Sequence, residues 1–270
     1  MSAADPAMMR GTRMVQATRL SRRALLGGLA GLAAAPRARA AAGDEIRIAF
    51  VGDSLADGIW GGAFRLASRE PCLGGRIRLG RFAENGTGLT RPAKFDWVAQ
   101  SRTVAETFRP TLAVVSLGLN DRQSIVEAGR ARLDLGTPAW RSRYAELAQA
   151  VARNLAPAGG GSVLWLGLPV LRDRASQDDA AEKNAIFAQA LRDLAAPRTR
   201  FVAPWRQDPS GPDSFQPYGP DLHGAKVQIR APDGIHFTAA GYDVLAAHLL
   251  RAAADLLAEQ GVALTFPCRR

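Results

Sequence analysis

The chain has 270 residues with 47% hydrophobic and 22% charged content, the balance of an ordinary globular protein with a well-buried core. Its formal charge of +10 suggests a polyanion binder until it is located. Residues 1–40 carry seven arginines against one acid, Asp5, which leaves only +4 for the rest, so a nucleic-acid partner is not expected of the body.

The arginines of the first forty residues have an order. Ser21-Arg22-Arg23-Ala24-Leu25-Leu26 resembles the twin-arginine export motif, and the apolar run "ALLGGLAGLAAA" and the small-residue stretch Ala38-Arg39-Ala40 follow it. The apolar run falls well short of the roughly 20 residues that span a bilayer. The expectation is an export signal over residues 1–40, cleaved near Ala40, and one domain over residues 41–270. The product would be periplasmic or exported, with no stable membrane anchor after cleavage; an uncleaved N-terminal anchor is the alternative. Met14 is a second candidate start. Cys72 and Cys268 suit an oxidising compartment, and both a disulfide and two separate thiols stay open. No Cys/His cluster has metal-site spacing, so neither a metal nor a cofactor is expected.

From Glu45 the chain alternates short apolar runs with helical patterns. "IRIAFVG" reads as a strand and "ADGIWGGAFRLAS" as a helix. "RIRLGRFA", with polar residues alternating, is a weaker strand. "FDWVAQSRTVAETF" is helical, "TLAVVSLG" a continuous apolar strand and "PAWRSRYAELAQAVARNLA" helical. "SVLWLGLPV" is a further buried strand, "DDAAEKNAIFAQALRDLA" a helix, "RFVAPW" a short strand and "AAGYDVLAAHLLRAAADLLAEQ" a closing helix. Such alternation predicts an α/β fold with a mostly parallel sheet covered on both faces. Residues 206–234 read as one long irregular stretch, of the kind that is functional or disordered.

In open parallel sheets, ligands sit beyond the carboxyl ends of the strands. The segments expected there are Gly52-Asp53-Ser54-Leu55, "ENGTGLTRP" with Gly86 and Gly88, Gly118-Leu119-Asn120-Asp121, and Asp233-Gly234-Ile235-His236 before the last helix. A serine hydroxyl needs a base to become a nucleophile. His236 is the candidate base, and Asp233, three residues earlier, could orient its ring. Of the other histidines, His248 falls in a helical pattern, and His223 lies in "GPDLHG" as a candidate substrate contact. No GxSxG elbow is present, against an α/β-hydrolase fold.

These four segments, in this order, resemble the four signature blocks of the SGNH (GDSL-type) hydrolases, over essentially the whole body from Ile46 to the last helix. "GTGLTRPAKFDW", "LGLNDRQ", "WLGLP" and "DGIHFTAAGYDVLA" resemble more closely a periplasmic branch of the DUF459 kind. The resemblance implies a flavodoxin-like, three-layer α/β/α sandwich with a five-stranded sheet and catalysis by Ser54, His236 and Asp233. It also implies an oxyanion hole from the Ser54 N–H, the Gly88 N–H and the Asn120 side-chain amide. Gly88 fits the block better than Gly86, and a missing side chain would let substrate approach the backbone.

Each residue also has an ordinary role: Ser54 as a helix cap, Asp53 and Asp121 as holders of loop amides, Asn120 as a turn residue. It is their joint occurrence on one rim that favours chemistry. Arg91, Arg122 and Gln123 are further candidate substrate contacts. Trp165 is expected in the core; Trp97, Trp140 and Trp205 lie near element ends, with core packing preferred over a cleft. The expected activity is a serine esterase acting on a small ester or acylated carbohydrate, with O-acetyl groups of the cell envelope as the first substrate to test. An O-acetyltransferase on the same site and a catalytically silent envelope-binding protein are the rivals.

Overall fold

The computed structural model describes residues 45–73, 75–157, 160–204 and 214–268, all within one compact unit. The leader, Trp205 and residues 206–213 lie outside the described residues. Five strands, β1 (Ile46–Gly52), β2 (Ile77–Ala83), β3 (Leu112–Ser116), β4 (Ser162–Leu166) and β5 (Thr199–Val202), pair in the order β2-β1-β3-β4-β5, every pair parallel. The continuous apolar runs occupy the middle: all five residues of β3 and of β4 are buried, whereas β2 and β5 are partly exposed edges.

Alternate residues of the central strands feed two cores. Ile48, Phe50, Val114 and Leu164 pack on one face against α1 (Ser54–Arg69) and α5 (Ala239–Ala258). Val51, Val115 and Trp165 pack on the other against α2 (Trp97–Thr107), α3 (Pro138–Leu155) and Phe187 of α4 (Arg174–Asp193). Trp97, Trp140 and Trp165 are all buried. This is the expected three-layer sandwich, with a main sheet wholly parallel.

Local corrections follow from tertiary context. α1 starts at Ser54 and α4 at Arg174, each earlier than the apolar pattern suggests. Within residues 206–234, the described part contains a small antiparallel hairpin, β6 (Tyr218–Pro220) with β7 (Lys226–Gln228). Cys72 and Cys268 form a disulfide that ties the segment after α1 to the chain's last described residue. Among the described residues no helix is long and apolar enough to cross a membrane.

Candidate active site

Strand order reverses between β1 and β3, and the crevice beyond their carboxyl ends is where such sheets bind ligands. Ser54 follows β1 and Asn120 follows β3, so both flank that crevice. The cap of α1 is Asp53, not Ser54: its Oδ1 accepts the Leu55 N–H at 3.0 Å. Ser54 becomes the first helical residue, with its hydroxyl released from capping.

That hydroxyl lies 2.7 Å from Nε2 of His236. On the far side of the ring, Nδ1 lies 2.6 Å from Asp233 Oδ2. With the ring proton held on Nδ1 by the carboxylate, Nε2 is the acceptor for the Ser54 O–H. The other Asp233 oxygen accepts the backbone N–H groups of Ile235 (2.8 Å) and His236 (2.9 Å), so one turn fixes the carboxylate and the ring together. Burial would raise the Asp233 carboxyl, but the His236 ring and these two N–H groups outweigh it and hold it at about 2.

The turn has a second support that the sequence did not reveal. Arg230 is buried, and its guanidinium donates to the carbonyls of Val170 (2.8 Å), Ile235 (2.8 Å) and His236 (3.3 Å). It also lies against the rings of Phe215, at 4.7 Å, and Phe237, at 4.4 Å. Arg230 therefore grips the backbone at His236. An arginine between a hairpin and a loop carries no periodic signature; only the run of turn residues after it hinted at a constrained segment.

Gly88 and Asn120 line one cavity. The Asn120 amide donates to the Thr87 carbonyl at 2.9 Å and to Asp53 Oδ2 at 3.3 Å, tying the segments after β1, β2 and β3 to one another. The structure gives glycine at 88 a reason of its own. A Cβ there would meet Asp121 Oδ1 at 2.2 Å, so the buried carboxylate behind the loop excludes a side chain. Asp121 holds that loop as expected, accepting the N–H groups of Leu89 and Thr90, each at 3.0 Å, and also takes the Tyr144 hydroxyl at 2.8 Å. Burial pushes the Asp53 carboxyl up to about 7, the Asp121 charge adding to it, against the backbone N–H groups of Leu55 and Leu119 and the Asn120 amide.

A cavity of about 180 Å³ opens beside these residues, lined by the 86–88 segment, Arg91, Lys94, Asn120 and Gln123. Of the candidate substrate contacts, Arg91 and Gln123 thus reach the site. Arg122 turns away to α4, donating to Ser176 Oγ at 2.8 Å and lying 3.8 Å from Asp179. His223 sits exposed in the turn of the β6–β7 hairpin, its N–H bonded to Asp221. Lys94 is an addition to the expected set. The tryptophans serve from behind: Trp97 Nε1 donates to Thr87 Oγ1 at 3.0 Å and Trp140 Nε1 to the Gln123 carbonyl at 3.1 Å.

In fold, the chain is similar to LAE5, an alpha/beta hydrolase enzyme from the metagenome of Lake Arreo, Spain, at 18% identity and a TM-score of 0.52, covering 79% of this chain and 97% of that one. It is also similar to a catalytic mutant of Axe2, an acetylxylan esterase from Geobacillus stearothermophilus, at 16% identity and a TM-score of 0.51, covering 77% and 94%. A GDSL-like lipase from Bacteroides thetaiotaomicron aligns at 17% identity with a TM-score of 0.49, over 76% of this chain and 86% of that one. At such identities the likeness is one of fold alone, a five-stranded parallel sheet flanked by helices. No curated protein matches the sequence significantly. Residues 47–252 match the family described as "Protein of unknown function (DUF459)", which covers most of the chain, and the chain belongs to that family.

Proposed function

We propose that this protein is an exported serine esterase that hydrolyses carboxylic esters through an acyl-enzyme on Ser54. The observation that carries the reading is the continuous hydrogen-bonded line from Ser54 through His236 to Asp233 at the end of β1. The Ser54 oxygen attacks the ester carbonyl while its proton passes to Nε2 of His236. The oxyanion that forms is received by the N–H groups of Ser54 and Gly88 and by the Asn120 amide, which exchanges its 3.3 Å bond to Asp53 Oδ2 for the new acceptor. As the first residue of α1, Ser54 has no intrahelical acceptor for its N–H. Collapse expels the alcohol, which takes the proton from His236. Water then attacks the acyl-enzyme, giving its proton to His236, and the acid departs as Ser54 is reprotonated.

The acetylxylan esterase activity named for Axe2 belongs to that protein, and with the export signal read over residues 1–40 it favours O-acetyl groups on envelope carbohydrate as the substrate to test first. Mature protein should turn over p-nitrophenyl acetate, and Ser54→Ala should lose at least about a thousandfold in kcat. Equal turnover by the two proteins removes Ser54 as nucleophile. An acceptor sugar in the same assay distinguishes hydrolysis from acetyl transfer by the appearance of acetylated acceptor.

A further inference from the structure

We propose that the ester received by this site carries a negative charge, a carboxylate or a phosphate on its alcohol half, held by Arg91 and Lys94; the proposal rests on the esterase reading above. The cavity beside Gly88 and Asn120 is lined by two cations and by no acid. Among the described residues neither cation has an ion-pair partner. Arg91 donates to Gln123 Oε1 at 3.2 Å and Lys94 Nζ to the Gly86 carbonyl at 2.7 Å, both neutral acceptors that place the charges at the cavity without neutralising them. Arg122, close by in sequence to Gln123, shows the contrast, turning out of the cavity toward Asp179. The two buried carboxylates behind the lining, Asp121 and Asp53, are both engaged: Asp121 stands behind the Gly88 backbone with its oxygens taken by Leu89, Thr90 and Tyr144, and Asp53 takes the Leu55 N–H and the Asn120 amide.

Two cations left unneutralised in a concave wall raise the local concentration of anions and favour a ligand that supplies the missing charge. The volume indicates which half of the ester carries it. About 180 Å³ is over ten times the roughly 10–15 Å³ that a cavity needs to hold one water, more than an acetyl group needs. The cavity has room for the sugar ring of the alcohol, so the charge belongs there, within reach of Arg91 and Lys94.

The test compares three acetyl esters acetylated at the same position: a neutral methyl glucoside, a glucuronide and a glucose phosphate. At low salt, kcat/KM for at least one charged ester should exceed that for the neutral one by about tenfold or more, and the preferred anion identifies its source. The ratio should fall toward one in the double variant Arg91→Gln/Lys94→Met, and should shrink in wild type as salt rises, since exposed charges are screened beyond about 10 Å at 0.1 M. Removing a charge away from the cavity, Arg174→Gln, should leave the ratio unchanged. Equal kcat/KM for charged and neutral esters, or a preference that survives in the double variant, overturns the proposal and leaves the esterase reading standing. If neither these esters nor p-nitrophenyl acetate is hydrolysed, the esterase reading fails on its own. Calorimetric titration of Ser54→Ala protein with the same three esters then decides the present proposal, and equal Kd values overturn it.

Discussion

Asp53, next to Ser54 in the chain, and Asp233, bonded to the His236 ring, respond to their surroundings in opposite directions. Asp233 is half-exposed and rich in donors; its carboxyl, held at about 2, contributes stability above the ordinary carboxylate value that is lost as pH falls through about 2. Asp53 is fully buried and raised to about 7, so the folded state binds a proton that the unfolded chain has released. Its contribution is therefore complete below about pH 4 and declines as pH rises toward about 7, then levels off. Asp53→Asn keeps a side-chain oxygen for the Leu55 N–H and removes the ionisation. Denaturant melts from pH 4 to 8 should show wild type losing stability relative to the variant across that window. A constant difference between the two would mean that Asp53 ionises in the folded protein as it does in water.

At the scale of elements, the distance between Ser54 and His236 is set by how closely α5 lies on α1. Gly58 faces the Tyr242 ring so tightly that a Cβ would come within 2.0 Å of Cζ, and at Gly62 one would meet the Tyr242 carbonyl at 2.4 Å. Arg65 closes the same contact with a 2.7 Å bond to Asp243. Gly58→Ala should push α5 outward and carry His236 with it, costing about 1–3 kcal/mol of stability and up to about a hundredfold in kcat. Gly61→Ala, on the same helix but with only the Arg65 side chain 3.4 Å from a new Cβ, should keep full turnover. Esterase assays and thermal melts on the pair read this directly, and equal activity in both would mean that the helix contact does not govern the site. What sequence could reveal here followed from burial. β1, β3 and β4 were legible as continuous apolar runs, and the acid–base turn as a short spacing before a helix. The β6–β7 hairpin was not, because its three-residue strands are largely exposed and include Pro220. The choice between Asp53 and Ser54 as cap was hidden because both side chains cap well. The different directions of Arg91 and Arg122 depend on Gln123 and Asp179, partners that only the fold brings near.

Across the whole molecule, the Cys72–Cys268 bond closes a loop of 196 residues, leaving the chain's end little freedom in the unfolded state. Cys268→Ser should lower stability by about 2–4 kcal/mol, and reductant should destabilise wild type by a similar amount while leaving the variant unchanged. Denaturant melts of both proteins with and without dithiothreitol measure it. Identical midpoints in all four would show that the link adds nothing to the fold. The pairing itself was open in the sequence because two cysteines so far apart become neighbours only after α1 and α5 have docked.

That Ser54 and His236 stand 182 residues apart along the chain also bears on when reactivity arises. Synthesis runs from the N-terminus, and domains tend to fold as units. The Ser54 hydroxyl therefore emerges 182 residues before the ring it bonds to. Every strand of the parallel sheet precedes His236 in the chain, and α5 comes last. A polypeptide made only as far as β5 can thus hold Ser54, its helix and the full parallel sheet and still lack His236. On the proposed esterase reading, this order of assembly delays chemistry until His236 has emerged and docked.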